Sequence, residues 1–168
     1  MTGAVRLSLH FGGMFLVIGI MMPFWPVWLS HKGLSASEIG LVLAAGSIIR
    51  VFVSPAVARI SDRLGEKKRP IIILTISAFL MFLPFALLDN FIPILMLQAC
   101  FASLLGPLMP LSDSLSMIGV KKHGIDYGRV RLWGSLTFIL GASGVGFFLK
   151  GAEPELIWTC IAVALLIS

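Results

Sequence analysis

Six apolar runs dominate this chain of 168 residues: 9–29, 36–58, 71–88, 91–118, 132–149 and 156–168. A bilayer core about 30 Å thick takes roughly 20 helical residues to cross. The first five runs meet that length closely enough to span. The sixth has 13 residues, about 20 Å at 1.5 Å per residue, and stops short of a crossing. Composition agrees with a lipid solvent. Charged residues make up 12% and hydrophobic residues 58%, whereas soluble domains carry about 25% charge. A domain of this size leaves much of its surface exposed, so water cannot be the main solvent. The expected fold is an all-α integral membrane bundle.

The first run is too long for the apolar core of a signal peptide. Its start carries only Arg6, and no small-residue cleavage site follows it. It ends instead in Pro23-Phe24-Trp25-Pro26-Val27-Trp28, which suits an anchor at the membrane interface.

Soluble enzyme chemistry is poorly represented. Cys100 and Cys160 lie inside apolar runs, and His10, His31 and His123 are scattered. Two cysteines make no disulfide framework. No metal-ligand spacing, phosphate loop or nucleophile elbow occurs, so no metal, cofactor or enzymatic activity is expected. A membrane enzyme would need clustered acid, His or Ser groups near one interface, and apart from Glu38 at the start of the second run Asp113 is the only acid inside one. A non-transporting membrane scaffold or subunit is the alternative to transport.

The basic residues give an orientation. Arg6, then Arg59, Arg63, Lys67, Lys68 and Arg69, then Lys121, Lys122, Arg129 and Arg131 all fall on one side of an alternating path. Only Lys32 and Lys150 fall on the other, and Arg50 lies within a run. By the positive-inside rule the N-terminus is cytoplasmic, and Asp89-Asn90 forms a tight outer turn. The net charge of +5 is thus a topology signal that needs no nucleic-acid partner.

Local signals mark some span ends. Ser35-Ala36-Ser37-Glu38 reads as a capping box opening the second span, which gives Glu38 a structural role. Trp25, Trp28, Trp133, Trp158 and Tyr127 lie near span ends, where an aromatic belt is the first expectation. Stacking of Trp25 or Trp133 on a substrate is the second.

Span one carries Pro23-x-x-Pro26 and span four carries Pro107-x-x-Pro110. If the chain is two inverted three-helix repeats, these spans correspond and run in opposite directions. Helices interrupted at corresponding places of such repeats point to a transporter's binding site. The four prolines are therefore expected to be helix breaks.

Two charges lie where lipid would penalise them. Arg50 shares a helix face with Gly46, Ser47 and Ser54, so it is expected to point into the bundle, as a functional group or as half of an ion pair. Asp113 shares a face with Ser103, Gly106, Pro110 and Ser116. A hairpin of spans four and five folded around His123 puts residue 113 level with residue 133. Arg131, with Arg129 nearby, is then the first expected partner of Asp113, and Arg50 is the second. Span five is rich in glycine, with Gly134, Gly141, Gly144 and Gly146, which reads as close helix packing.

The segment Ala58-Arg59-Ile60-Ser61-Asp62-Arg63-Leu64-Gly65-Glu66-Lys67-Lys68-Arg69 resembles the Gly-x-x-x-Asp-Arg-x-Gly-Arg-Arg loop of the major facilitator superfamily. It also occupies the same place, after the second helix. Asp62, Arg63, Gly65 and Lys67 match. Ala58 and Glu66 depart, leaving Lys67 or Lys68 to substitute in the loop's usual acid–base bridge. In that family the loop is implied to latch the cytoplasmic side during alternating access. A longer likeness runs through Pro23 to Leu29, Gly33-Leu34-Ser35, Glu38-Ile39-Gly40, Pro110-Leu111-Ser112-Asp113 and Tyr127-Gly128-Arg129-Val130-Arg131-Leu132-Trp133-Gly134-Ser135. It resembles the 3-phenylpropionic acid transporter branch, which is lactose-permease-like.

The resemblance implies the N-terminal six-helix half of a twelve-helix secondary transporter in a bacterial inner membrane. It also implies proton symport of a small solute such as an aromatic carboxylate. On this reading the sixth helix is truncated and the partner of the chain is a missing C-terminal half. Arg50, Asp113, Arg131 and Trp25 are the candidate substrate or coupling residues.

Overall fold

A computed structural model describes residues 3–123, 126–149 and 153–168. Every regular element among them is helical: α1 (Gly3–His31), α2 (Ala36–Leu64), α3 (Lys68–Phe82), a 3-10 turn (Leu83–Leu87), α4 (Phe91–Leu105), α5 (Leu108–His123), α6 (Tyr127–Phe148) and α7 (Glu155–Ile167). Five stretches are long and apolar enough to cross a membrane: Leu7–His31, Ala36–Leu64, Lys68–Leu87, Phe91–Val120 and Tyr127–Phe148. The Glu155–Ile167 helix is apolar but shorter. His123, the expected centre of the hairpin turn, ends α5; residues 124–125 lie outside the described residues, as do the side chains of Arg6, Lys121, Lys122, His123 and Lys150.

The chain forms two compact units, one of residues 1–28 with 114–168 and one of residues 29–113. In the first, α1 packs along α6. A β-carbon at Gly19 would lie 2.5 Å from the Phe138 carbonyl oxygen, and one at Gly134 would lie 2.7 Å from Phe15. Gly141 faces Leu16 and Ile20, and Gly146 faces Phe24. Gly134, Gly141 and Gly146 of α6, with Gly19 of α1, therefore let the helices approach, whereas Gly144 faces open space. At the start of α1 a small core of Leu7, Phe11 and Val130 closes the seam, with Phe15 and Leu115 against it. Contacts rise together along both helices, so α1 and α6 run in the same direction.

In the second unit α2 and α3 both pack on α4. Phe82, Phe85 and Phe101 form an aromatic cluster with centroids 5.4–6.1 Å apart. Gly46 of α2 meets Gln98 and Ala102 of α4, and Arg50 and Ser54 meet Gly106 just beyond its end. Here too the helices run in the same direction. One unit thus joins the first span to the fifth and the other joins the second to the fourth. Exchanging spans one and four, and two and five, converts one pairing into the other, as two three-helix repeats require.

The prolines behave differently in the two units. α1 continues through Pro23 and Pro26 without interruption, so the expectation of a break there is corrected. Each proline removes one ladder donor, but neighbouring helices support the chain inside a bundle. The interruption falls instead at Gly106-Pro107, between α4 and α5. Pro107 accepts from the Leu111 amide and so stands at the helix start, and Pro110 lies in the first turn. A missing N–H costs least there, because first-turn amides have no intrahelical acceptor.

Candidate functional site

In the second unit the stripe Gly46, Arg50 and Ser54 on α2, at intervals of four, lies against Gln98, Ala102 and Gly106. Small residues set the spacing, and polar groups occupy the rest of the seam. A β-carbon at Gly106 would stand 2.6 Å from Arg50 Cγ and 3.2 Å from Ser54 Oγ. Glycine at 106 therefore makes room for the arginine stem beside the α4–α5 break. The Ser54 hydroxyl oxygen is buried with no hydrogen-bond partner. Other helix hydroxyls bond the carbonyl four residues back: Ser47 to Leu43 at 3.0 Å, Thr75 to Ile71 at 2.9 Å and Thr137 to Trp133 at 3.1 Å.

Gln98, 5% exposed inside the apolar helix α4, is a seam residue that sequence reasoning missed. The signal was available, since a lone amide in an apolar span is as much a marked polar group as a charge, but only charges were counted. Ser112 and Ser116 of α5 are fully buried and flank the half-buried Asp113.

Asp113 and Arg131 belong to different compact units, each described by itself. Arg131 sits on an exposed face of α6, where its Nη1 donates to the Tyr127 hydroxyl at 2.7 Å and its guanidinium carbon lies 5.9 Å from that ring's centroid. The spacing i, i+4 puts the two side chains on one helix face.

The tryptophans require a second correction. Trp25 and Trp28 are 1% and 0% exposed and stack with centroids 4.7 Å apart and planes 6° apart. The Trp28 indole N–H donates to Glu155 Oε2 at 3.3 Å. These two rings pack into the core rather than forming a belt at the interface. Nearness to a span end does not fix which helix face a ring occupies, and at i, i+3 both rings share the inward one. Trp133, in contrast, is 54% exposed.

At the other end of α2 the helix runs on through Asp62 and Arg63. Gly65 caps it in the left-handed conformation, φ 65°, which a side chain would strain. Lys67 Nζ bonds Asp62 Oδ1, Ser61 donates to the Glu66 carbonyl at 3.1 Å, and Arg69 pairs with Glu66 at 3.4 Å. Lys67 thus supplies the cation that Glu66 cannot. On the far side of the same unit Lys32 bridges the Ala86 carbonyl and Asp89, both at 3.2 Å, tying the α1–α2 turn to the turn before α4. The Ser35–Glu38 capping box is present: the Ser35 amide donates to Glu38 Oε2 at 2.8 Å, and the Glu38 amide donates back to Ser35 Oγ at 3.4 Å.

Apolar spans, paired same-direction seams and this capped basic turn describe a membrane protein rather than a soluble catalyst. Comparison with known families decides which, because the MFS_1 like family model matches residues 4–168. The chain belongs to the MFS_1 like family. It is therefore a multi-pass membrane protein of the major facilitator type, and the relatives that it resembles are named as transporters and permeases, not enzymes. A probable 3-phenylpropionic acid transporter of Escherichia coli is 36% identical over 143 residues, covering 83% of this chain and 37% of that protein. The melibiose permease of Enterobacter cloacae is 32% identical over 162 residues, covering 90% and 37%. The maltose permease of Geobacillus stearothermophilus is 26% identical over 153 residues, covering 90% and 39%. The chain thus spans little more than a third of the length of the curated relatives it matches.

Proposed function

We propose that this chain is the N-terminal half of a twelve-helix secondary active transporter. It lies in a bacterial inner membrane with its N-terminus cytoplasmic, and works by alternating access with a C-terminal half. The transported species is a small organic solute such as an aromatic carboxylate, and proton symport drives it. Family membership over nearly the whole chain carries the reading. The polar stripe at the α2–α4 seam supports it, since polar groups inside an apolar bundle are costly unless they are used. Asp113 and Arg131 are the further charged groups assigned to coupling. The basic turn that holds Asp62, Arg63, Gly65 and Lys67 is the cytoplasmic latch.

The test is uptake of labelled carboxylates, sugars and nucleosides by cells expressing the full-length transporter, with and without a protonophore. Accumulation of one carboxylate, abolished by the protonophore, is expected. A protein present in the membrane at normal level that moves none of them contradicts the reading and favours a scaffold.

A further inference from the structure

We propose that Arg50, with the Ser54 hydroxyl, holds the carboxylate group of an anionic organic solute where α2 passes the Gly106-Pro107 break. This deepens the transporter reading and rests on it. Arg50 is the one basic residue inside the apolar core of a span, and it is exposed, with no ion-pair or hydrogen-bond partner among the described residues. Its stem is fixed by packing on Gly106, the position where a methyl would come within 2.6 Å of Cγ. One helical turn on, the Ser54 hydroxyl lies by the same glycine, buried and unpaired. A serine there would ordinarily return to the carbonyl of Arg50, as Ser47 returns to Leu43. A ligand oxygen is the partner that a buried orphan hydroxyl lacks.

The guanidinium only donates, and the Ser54 hydroxyl can donate as well. A carboxylate is served by donors alone, and its two oxygens match the planar guanidinium fork. Asp113 is the competing acceptor. It lies seven residues beyond Gly106 on the next helix, about two turns along the axis.

The experiment measures binding to the purified full-length transporter by ligand-induced thermal stabilisation. The probes are 3-phenylpropionate, its neutral amide 3-phenylpropanamide, and melibiose. The wild type is expected to bind the acid and not the amide. Arg50→Gln should weaken acid binding about 10- to 100-fold, as loss of a charge-assisted hydrogen bond does. Arg50→Lys, which keeps the charge and loses the fork, should fall between, and Ser54→Ala should cost about 3- to 10-fold. If Arg50→Gln fails to accumulate, Arg50→Lys and Ser54→Ala decide by the same criterion. Unchanged acid binding in these variants overturns the proposal, and so does equal binding of acid and amide. Recovery of Arg50→Gln protein level by Asp113→Asn also overturns it, by making Arg50 a structural ion-pair partner. Binding and uptake of melibiose without any acid overturns the proposal and leaves the transporter reading standing. No binding or uptake of any probe removes both.

Discussion

Trp28 donates its indole N–H to Glu155 Oε2 while its ring lies flat against Trp25 of the same helix, so one side chain packs within α1 by stacking and ties α1 to α7 by a hydrogen bond. Trp28→Ala should destabilise the protein by about 3–5 kcal/mol, as large core truncations do. Trp28→Phe keeps most of the ring packing and should cost about 1–3 kcal/mol through the lost donor. Glu155→Gln keeps an acceptor oxygen and should cost less than Glu155→Leu. Thermal unfolding in detergent ranks the four. Equal melting temperatures for Trp28→Phe and the wild type would remove the hydrogen bond from this account.

The fit of Arg50 on Gly106 predicts non-additivity. Gly106→Ala alone overfills the seam and should cost about 1–3 kcal/mol. In an Arg50→Ala background the same change should cost less, the remaining cost coming from the Ala102 carbonyl oxygen at 2.9 Å and Ser54 Oγ at 3.2 Å from the added β-carbon. Non-additivity of this size is expected only for residues in contact. Additive melting shifts would mean that the stem of Arg50 lies elsewhere.

The pair Lys67–Asp62 separates function from stability. Asp62 is 63% exposed at its side chain, and exposed ion pairs contribute about 0–1 kcal/mol. Asp62→Asn should therefore leave the melting temperature nearly unchanged while lowering uptake by the full-length transporter about tenfold or more, a barrier change of about 1.4 kcal/mol. The exchange Asp62→Lys with Lys67→Asp should recover part of the uptake. Gly65→Ala, which forces a β-carbon into the left-handed region, should cost about 1 kcal/mol of stability.

How much of this was legible depended on the range of each signal. The capping box of Ser35 and Glu38 is a contact within four residues, and it stands as read. Gly134, Gly141 and Gly146 announced close packing because glycine there has few other uses, but Gly144, read the same way, faces open space. Trp25 and Trp28 were misjudged because depth along a span is visible in sequence and the helix face presented to a neighbour is not. Pro23 and Pro26 were read as breaks because sequence shows a missing donor but not the bundle that tolerates it. The seam of Gly46, Arg50 and Ser54 was visible as one face of α2. Its complement of Gln98, Ala102 and Gly106 depends on which helix packs there and at what register, and that is a tertiary fact.

Orientation is open to direct labelling. With Cys100 and Cys160 replaced, Lys68→Cys should resist a membrane-impermeant thiol reagent added outside intact cells, and Asn90→Cys should react. The two positions lie at opposite ends of the third span. Rapid labelling at Lys68→Cys with protection at Asn90→Cys would invert the topology.

Transport by the purified full-length protein in sealed proteoliposomes tests the central claim most directly. With an inward proton gradient and labelled 3-phenylpropionate outside, accumulation above equilibrium is predicted, together with its collapse on adding a protonophore. Asp113→Asn and Arg131→Gln, reconstituted in equal amounts, should each accumulate at most about a tenth as much, a loss of about 1.4 kcal/mol or more. If no labelled acid, sugar or nucleoside enters wild-type vesicles faster than protein-free ones, with or without a gradient, the chain is not half of a secondary transporter.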